Sequence, residues 1–516
     1  SDLRKEKIMY SYLYSAVIHG VKAEIVRVEV DISRGLPGFN IVGLAGKTVR
    51  ESAKRVRSAI INSGFEWPVK KITVNLAPGN INKYGSHFDL AIAAVLLECS
   101  GQIKIKNKNK KFFAGELNLN GNINHVKGVL SMLLAAQENN FKEAVLPAQN
   151  KKESFLVKNL SSYLIKHLRD VDNLEDNQEN ILINPKTEIK PAVDYTDLSD
   201  IRGQKNAKKA IITAAAGGHN LLLIGPPGCG KTVLAESIVQ LLAPLDKKEL
   251  LETASIYSIN NNLEELNLVK KRRPFVAPHH SITAAALIGG GHIPVPGEIS
   301  LAHNGVLFLD ELPEFKSSVL ANLREPLEKK RIKIVRQQGS YYFPADFQFI
   351  AAMNPCPCGF SGVKDRSCKC SERDIVRYQQ KLSGPLKDRI DLQIEVLPLE
   401  KDEILTTPPT AKDQNYTDKI EIARKMQAER YLNSNLKNNS ELLLKDIEKY
   451  CQLDQKSQKI LNQAYQRLKL SVRGYIRLMR VARTIADLNN NDLIKESDLI
   501  EAVDFRWYAE KSEMLL

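Results

Sequence analysis

Residues 225–232 read Gly-Pro-Pro-Gly-Cys-Gly-Lys-Thr, directly after the apolar run Leu221-Leu222-Leu223-Ile224 and ahead of a helical pattern from Val233 to Leu242. A G-x-x-x-x-G-K-[ST] string between a buried strand and a helix demands a loop whose backbone N–H groups turn inward around polyphosphate. Gly225, Pro226, Pro227, Gly228, Cys229 and Gly230 make that loop. Lys231 reaches the terminal phosphates, and the Thr232 hydroxyl is placed to ligate Mg²⁺. Further along, Val306-Leu307-Phe308-Leu309 reads as a second buried strand ending in Asp310-Glu311, with Asp310 as the second Mg²⁺ holder. A Gly-rich turn alone is punctuation. Two such motifs in order, each after an apolar strand, imply binding and hydrolysis of ATP with Mg²⁺.

The chain has 516 residues, too many for one core, and its length implies roughly three domains. It is 43% hydrophobic and 26% charged, ordinary for a globular protein. No apolar stretch has transmembrane length, and Leu90 to Leu97 reads as core helix. Ser1 to Ile8 is polar and basic, Met9 is the expected natural start, and no secretory signal is legible, so a cytoplasmic protein with no membrane partner is expected. The net charge of +14 favours partners with phosphate backbones, although basic proteins without such partners are common.

The first block, residues 9–170, alternates strand-like stretches (Ala23 to Val30, Lys71 to Leu76, Phe112 to Ala114) with helical ones (Thr48 to Ser63, Phe88 to Cys99, Val129 to Glu138). Within it the Lys/Asn run Lys104 to Lys111 reads as a solvated loop. A polar linker is expected at 171–194 and an α/β core at 195–405. A breaker cluster, Thr406-Thr407-Pro408-Pro409-Thr410, then opens an all-helical region at 406–516. There, Ile420 to Leu432, Ser440 to Tyr450, Gln455 to Leu468, Val472 to Leu488 and Glu496 to Tyr508 all carry i, i+3, i+4 apolar spacing.

Three further features lie in and after the core. The apolar strand Phe347 to Met353 ends at Asn354-Pro355, where an amide can orient a water beside Glu311 acting as general base, although Asn-Pro alone is a turn signal. Ser383 to Asp391 frames Arg389 with carboxylates on either side, either as an arginine offered across a subunit boundary or as an internal ion pair with Asp391. Ser471-Val472-Arg473-Gly474 opens a helix, so Arg473 either reaches phosphate or is merely exposed beside a capping serine.

Together these residues resemble the AAA+ ATPases, and within them the magnesium-chelatase-like branch. The strings Gly35 to Phe39, Val74 to Pro78, Phe275 to His280, Leu382 to Leu386 and Val481 to Leu488 are similar to the ComM/YifB family over nearly the whole chain from Met9. The resemblance implies an AAA+ P-loop α/β core, an N-terminal Lon-protease-like α+β domain and a C-terminal all-α lid. Asn354 becomes the first sensor, Arg389 the arginine finger and Arg473 the second sensor, with Arg477 and Arg480 on the same helix. A homo-hexamer acting on single-stranded and branched DNA, beside recombination proteins in natural transformation, is implied as well. Lys329 to Phe343 supports a DNA motor independently, because its alternation turns at Gln338-Gly339-Ser340 as a β-hairpin would. Such a hairpin carries Lys330, Arg331, Lys333 and Arg336 for phosphates and Tyr341 or Tyr342 for bases, unless it is a plain solvated hairpin. Leu287 to Gly297 resembles a second pore insert, and His279-His280 beside it reads as DNA-facing or packing. In the Lon-like block the nucleophile position holds His87 and the lysine position Leu130, with Ser86 out of frame, so proteolysis is not expected.

Cys356, Cys358, Cys368 and Cys370 lie in one loop, 355–371, after Asn354. Four thiols so close suit a structural Cys₄ Zn²⁺ site, with redox-active or free thiols as alternatives. Two other readings of the whole chain stand beside the motor: a magnesium chelatase motor subunit, expected to lack both the Lon-like block and the Cys loop, and a non-motor assembly platform.

Overall fold

Gly20, at φ +64, turns the chain between two long strands rich in β-branched and aromatic residues, β1 (Tyr10–His19) and β2 (Lys22–Ser33). They pair antiparallel from Tyr10 opposite Asp31 to His19 opposite Lys22. The computed structural model describes residues 10–174, 195–268, 270–337, 339–363, 366–382, 384–399, 414–467 and 470–506. Most of the expected linker, the breaker cluster at 406–410, Ser383 and Gln338 lie outside the described residues.

The first sheet adds β3 (Gly38–Val42), β4 (Lys71–Ala77), β5 (Lys111–Phe113), β8 (Glu143–Pro147) and β9 (Ser161–Ile165), in the order β3-β4-β2-β1-β5-β8-β9. A two-stranded β6–β7 hairpin (Glu116–Leu117, Ile123–Asn124) stands beside it. Helices α1 (Lys47–Asn62) and α2 (Asp89–Cys99) pack on one face, against Leu13, Val26, Val28 and Val30. On the other face α3 (Val129–Glu138) packs against Ala16 and Phe112. Buried on all sides, α2 accounts for the apolar run at Leu90 to Leu97. One expectation needs correction. Lys111, at the end of the supposed solvated run, opens β5 and is buried, because parallel pairing sets it opposite Glu143, whose carboxylate lies 2.7 Å from its Nζ.

The second sheet is wholly parallel. Its strands are β10 (Leu221–Ile224), β11 (Phe275–Val276), β14 (Val306–Leu309), β17 (Gln348–Met353) and β18 (Leu392–Glu395), in the order β11-β14-β17-β10-β18. The central three are buried along their whole length, the pattern of a sheet covered on both faces. Two antiparallel hairpins project from this core: β12 (Gly289–Gly290) with β13 (Val295–Pro296), and β15 (Arg331–Arg336) with β16 (Gly339–Pro344).

Helices Gln414–Arg430, Leu444–Tyr450, Gln455–Arg467, Val472–Leu488 and Glu496–Asp504 complete the chain. Leu478, Ala482 and Ile485 share one core with Leu221, Leu223 and Leu392 of the sheet. A buried polar network fixes the lid: Asp487 accepts from Arg483 at 2.9 Å, Arg430 at 2.5 Å and Asn439 at 2.9 Å. All of its members are paired, which lets charge sit in a core and hold a single arrangement.

Candidate active site

The ends of β14, β17 and β10 lie side by side, so the segments that follow them share one edge of the sheet. Gly225 follows β10 with its N–H 3.1 Å from Met353 O, and a Cβ there would collide with Val396 O, so no side chain fits. Lys231 opens the helix Lys231–Leu241. Its Nζ donates to the carbonyls of Gly225 and Pro226, 2.8 Å each, and to Asn354 Oδ1 at 3.1 Å. Thr232 Oγ1 donates to Asp310 Oδ2 at 2.8 Å. The P-loop lysine, the strand-end amide and the Thr232–Asp310 pair, each picked out separately in the sequence, therefore meet. Glu311 follows in the left-handed region at φ +51, its carboxylate more than half exposed and 3.5 Å from His280 Nδ1. The sequence left His280 either DNA-facing or packing, and did not link it to Glu311. The overlooked signal was that β11 runs parallel to β14, Val276 opposite Leu307, which brings the segment after each strand to the same edge.

Arg389 and Arg473 lie elsewhere. The N–H groups of Asp391 and Leu392 both donate to Asn220 O at 3.1 Å, so residues 384–391 sit where the parallel strands begin, whereas the P-loop sits where they end. Arg389 bonds Pro385 O and pairs with Glu328. The alternative pair with Asp391 does not form, because Asp391 is buried against His219 at 3.3 Å. Burial alone would raise that carboxyl, but His219, Arg480 and Arg477 together outweigh it and hold the group below its ordinary value. Arg473 Nη1 stands 3.6 Å from Asp388 and Arg477 Nη2 3.3 Å from it. Arg389 and Arg473 line one cavity of about 950 Å³ whose walls include no P-loop residue. The structure thus joins Glu311 and Asn354 to the phosphate loop, and joins Arg389 to Arg473 on the opposite edge.

In the β15–β16 hairpin, period-two alternation buries Ile332, Ile334, Tyr341 and Phe343 and exposes Arg331, Lys333, Val335 and Tyr342. The Arg331 guanidinium and the Lys333 ammonium stand 5.5 and 5.8 Å from the Tyr342 ring centroid. Arg336 Nε donates to Gly291 O at 3.2 Å, tying this hairpin to β12–β13. Two expectations are corrected. Tyr341 is not available for bases, because its parity turns it onto the N-terminal domain, where His19 stacks on it at 4.4 Å and bonds Ser340 O at 3.1 Å. Lys330 precedes the hairpin in a left-handed conformation, and its Nζ is held by Asp346 at 3.2 Å and by Glu441.

The four cysteines converge, with all sulfurs within 4.8 Å of one another and three separations of 3.4, 3.6 and 3.6 Å. A tetrahedral Zn–S₄ site with bonds of about 2.3 Å needs sulfurs about 3.8 Å apart, so these residues fit the metal. Backbone N–H groups of Phe360 and Lys369 lower the Cys358 thiol, while burial raises Cys356. The knuckle also abuts the phosphate loop, since a Cβ on Gly359 would fall 2.6 Å from Pro227 Cδ. In the N-terminal domain His87 is buried with Nε2 2.7 Å from Ala16 O, and burial pushes its imidazole down to about 4. Leu130 is core, and the Ser86 hydroxyl bonds Glu116.

Three family profiles match: "Magnesium chelatase, subunit ChlI" over 197–404, "Subunit ChlI of Mg-chelatase" over 28–150, and "Magnesium chelatase, subunit ChlI C-terminal" over 411–506. The second covers much of the N-terminal block, so that block does not set the chain apart from chelatase subunits. Full-length relatives decide the matter: "Competence protein ComM" of Haemophilus influenzae is 44% identical over 96% of this chain and 97% of its own. The chain belongs to the ComM/YifB family. YifB of Escherichia coli K12 is 41% identical over 96% of this chain and 97% of its own. "Lon protease 2" of Bacillus subtilis is 23% identical over 48% of this chain and 47% of its own. Membership in ComM/YifB, with its chelatase-like AAA+ core, agrees with an ATPase that uses Mg²⁺. Among the described residues no helix is long and apolar enough to cross a membrane.

Proposed function

We propose that this ComM/YifB protein is an ATP-driven DNA motor, a cytoplasmic hexamer that moves along single-stranded and branched DNA. In this reading it drives branch migration during natural transformation and homologous recombination, beside recombination proteins. The carrying observation is the division of the ATP machinery between two edges of one sheet. Lys231, Thr232, Asp310, Glu311 and Asn354 gather at one edge, and Arg389 and Arg473 at the other. Arg389 cannot reach the P-loop of its own chain, so a ring in which each subunit offers its arginines to a neighbour is what completes the site.

In that ring Thr232 and Asp310 hold Mg²⁺, which when bound offsets charge on the transferred phosphoryl. Glu311 takes a proton from the attacking water that Asn354 orients, and Arg389 neutralises developing charge from across the boundary. The DNA part rests on the exposed row Arg331, Lys333, Tyr342 and Arg336 and on the net charge of +14. Zn²⁺ bound by Cys356, Cys358, Cys368 and Cys370 serves as a structural clasp behind the phosphate loop.

ATP hydrolysis measured with and without forked or single-stranded DNA tests this reading. Stimulation by DNA that vanishes in Glu311→Gln is expected. Hydrolysis indifferent to DNA would overturn the motor and turn attention to a porphyrin or protein partner, as the chelatase descriptions of the matched profiles would have it.

A further inference from the structure

The cavity on the arginine edge holds a cation that no sequence motif singles out. Arg424, on the helix Gln414–Arg430, lines the same cavity as Arg389 and Arg473. Its Nη2 donates to Ala215 O at 2.9 Å, and it has no ion pair with a carboxylate among the described residues. Burial, with Arg273 nearby, lowers the guanidinium to about 10, and Glu421 opposes that only weakly. Arg273 is itself neutralised by Glu249 at 2.8 Å. The other cations of this wall have carboxylate partners: Arg389 has Glu328, Arg473 has Asp388, and Lys330 has Asp346 and Glu441. Arg480 is the exception, bonded to Leu442 O at 2.7 Å.

A partly buried charge without a counter-ion weakens a fold, and such groups collect where a ligand supplies the missing charge. We propose that Arg424 is a phosphate-binding residue of the shared nucleotide site, its counter-ion being the triphosphate held by the P-loop of a second copy of this chain. This rests on the ring reading above. The helix that carries Arg424 also bonds the end of the P-loop domain's first helix, through Gln427 to Ala216 O at 3.1 Å, so closure of the charge onto Arg424 would tighten lid and core together.

The test uses the full chain and Arg424→Met, which keeps most of the side-chain volume and removes the charge. Its melting temperature should equal or exceed that of the parent, while ATP turnover falls at least about tenfold, less than the about 10³-fold expected of an arginine finger because Arg424 adds to Arg389 rather than replacing it. Arg424→Lys should recover part of the loss. Mixed with Lys231→Ala, whose P-loop is disabled but whose arginine edge is intact, Arg424→Met should regain activity that neither variant has alone. A drop in melting temperature matched by the loss of turnover would make Arg424 structural and overturn the proposal. So would a mixture that stays inactive while Arg389→Ala with Lys231→Ala recovers, in which case the shared site stands without Arg424. Failure of both mixtures would overturn the shared site and the proposal together.

Discussion

The two edges of the parallel sheet carry different groups, which the proposed ring would join into one chemistry. At the strand ends, the glycine-rich loop, Lys231 and the Thr232–Asp310 pair come together within one chain, the set that the proposed function assigns to phosphate and metal. Where the strands begin, Arg389, Arg473 and Arg424 line a cavity that contains no P-loop residue. The first edge follows the usual rule that an open α/β sheet binds its ligand beyond the carboxyl ends of its strands. The second edge gathers arginines in a cavity that no phosphate-loop residue lines. In the ring reading proposed above, the contrast makes a single subunit half an enzyme. It also places the β15–β16 hairpin: Lys330 and Ala345 clasp its base through a 2.9 Å bond at the arginine edge, and Lys330 and Asp346 line the same cavity. In the proposed ring a neighbour's nucleotide and this chain's hairpin are therefore mechanically close.

The sharpest way to break the comparison is Arg389→Ala. Loss of turnover by about 10³-fold or more is expected while nucleotide still binds the P-loop of the same chain, read by titrating a fluorescent ATP analogue. Weakened binding in the isolated subunit would mean that the two edges are not separate. Next in size is Glu311→Gln, which should lower kcat by roughly 10² to 10⁴ and leave nucleotide affinity intact.

Metal removal sharpens the account of the phosphate edge. One Zn²⁺ per chain should appear by elemental analysis, and Cys356→Ser or a strong chelator should lower both the melting temperature and nucleotide affinity, because Gly359 packs on Pro227. A chain that loses Zn²⁺ with unchanged ATP binding would uncouple the knuckle from the loop.

Smaller effects should separate the residues of the hairpin. Lys333→Glu and Arg336→Glu should each weaken single-stranded DNA binding and flatten its salt dependence, by about one unit of slope for every phosphate left unneutralised. Lys330→Ala should leave DNA affinity unchanged and cost stability by no more than about 1 kcal/mol, since its ion pair is partly solvated. For its partner Asp346, burial raises the carboxyl, but Lys330 and Lys437 together outweigh burial and hold it below its ordinary value. The pair's contribution is therefore full above the ordinary carboxylate range and fades as pH falls through the lowered native value. In Lys330→Ala that acid-side loss should shrink.

Much of the phosphate edge was legible in the sequence because each of its residues follows an apolar strand, and strand order brings such ends together. Gly225 to Thr232, Asp310, Glu311 and Asn354 all obey that rule. The five lid helices also followed from apolar spacing, the last of them ending at Asp504 rather than beyond. What could not be read was decided between elements. Tyr341 and Tyr342 differ only in parity, and which one faces solvent depends on where the N-terminal domain docks. Lys330 looked like a hairpin cation until the fold brought Asp346 and Glu441 to it. No spacing rule links Arg424 to Arg389, or His280 to Glu311. Strand β1 passed unassigned, although its alternation of tyrosines with small and apolar residues is a strand pattern.

The most direct test of the half-enzyme claim is ATP turnover per subunit, measured across protein concentration alongside particle mass. Turnover per subunit that rises as rings form, and is negligible where the protein is monomeric, is the predicted result. Constant turnover down to the monomer would contradict the account, because it would require Arg389 and Arg473 to serve a phosphate loop on the far side of their own sheet.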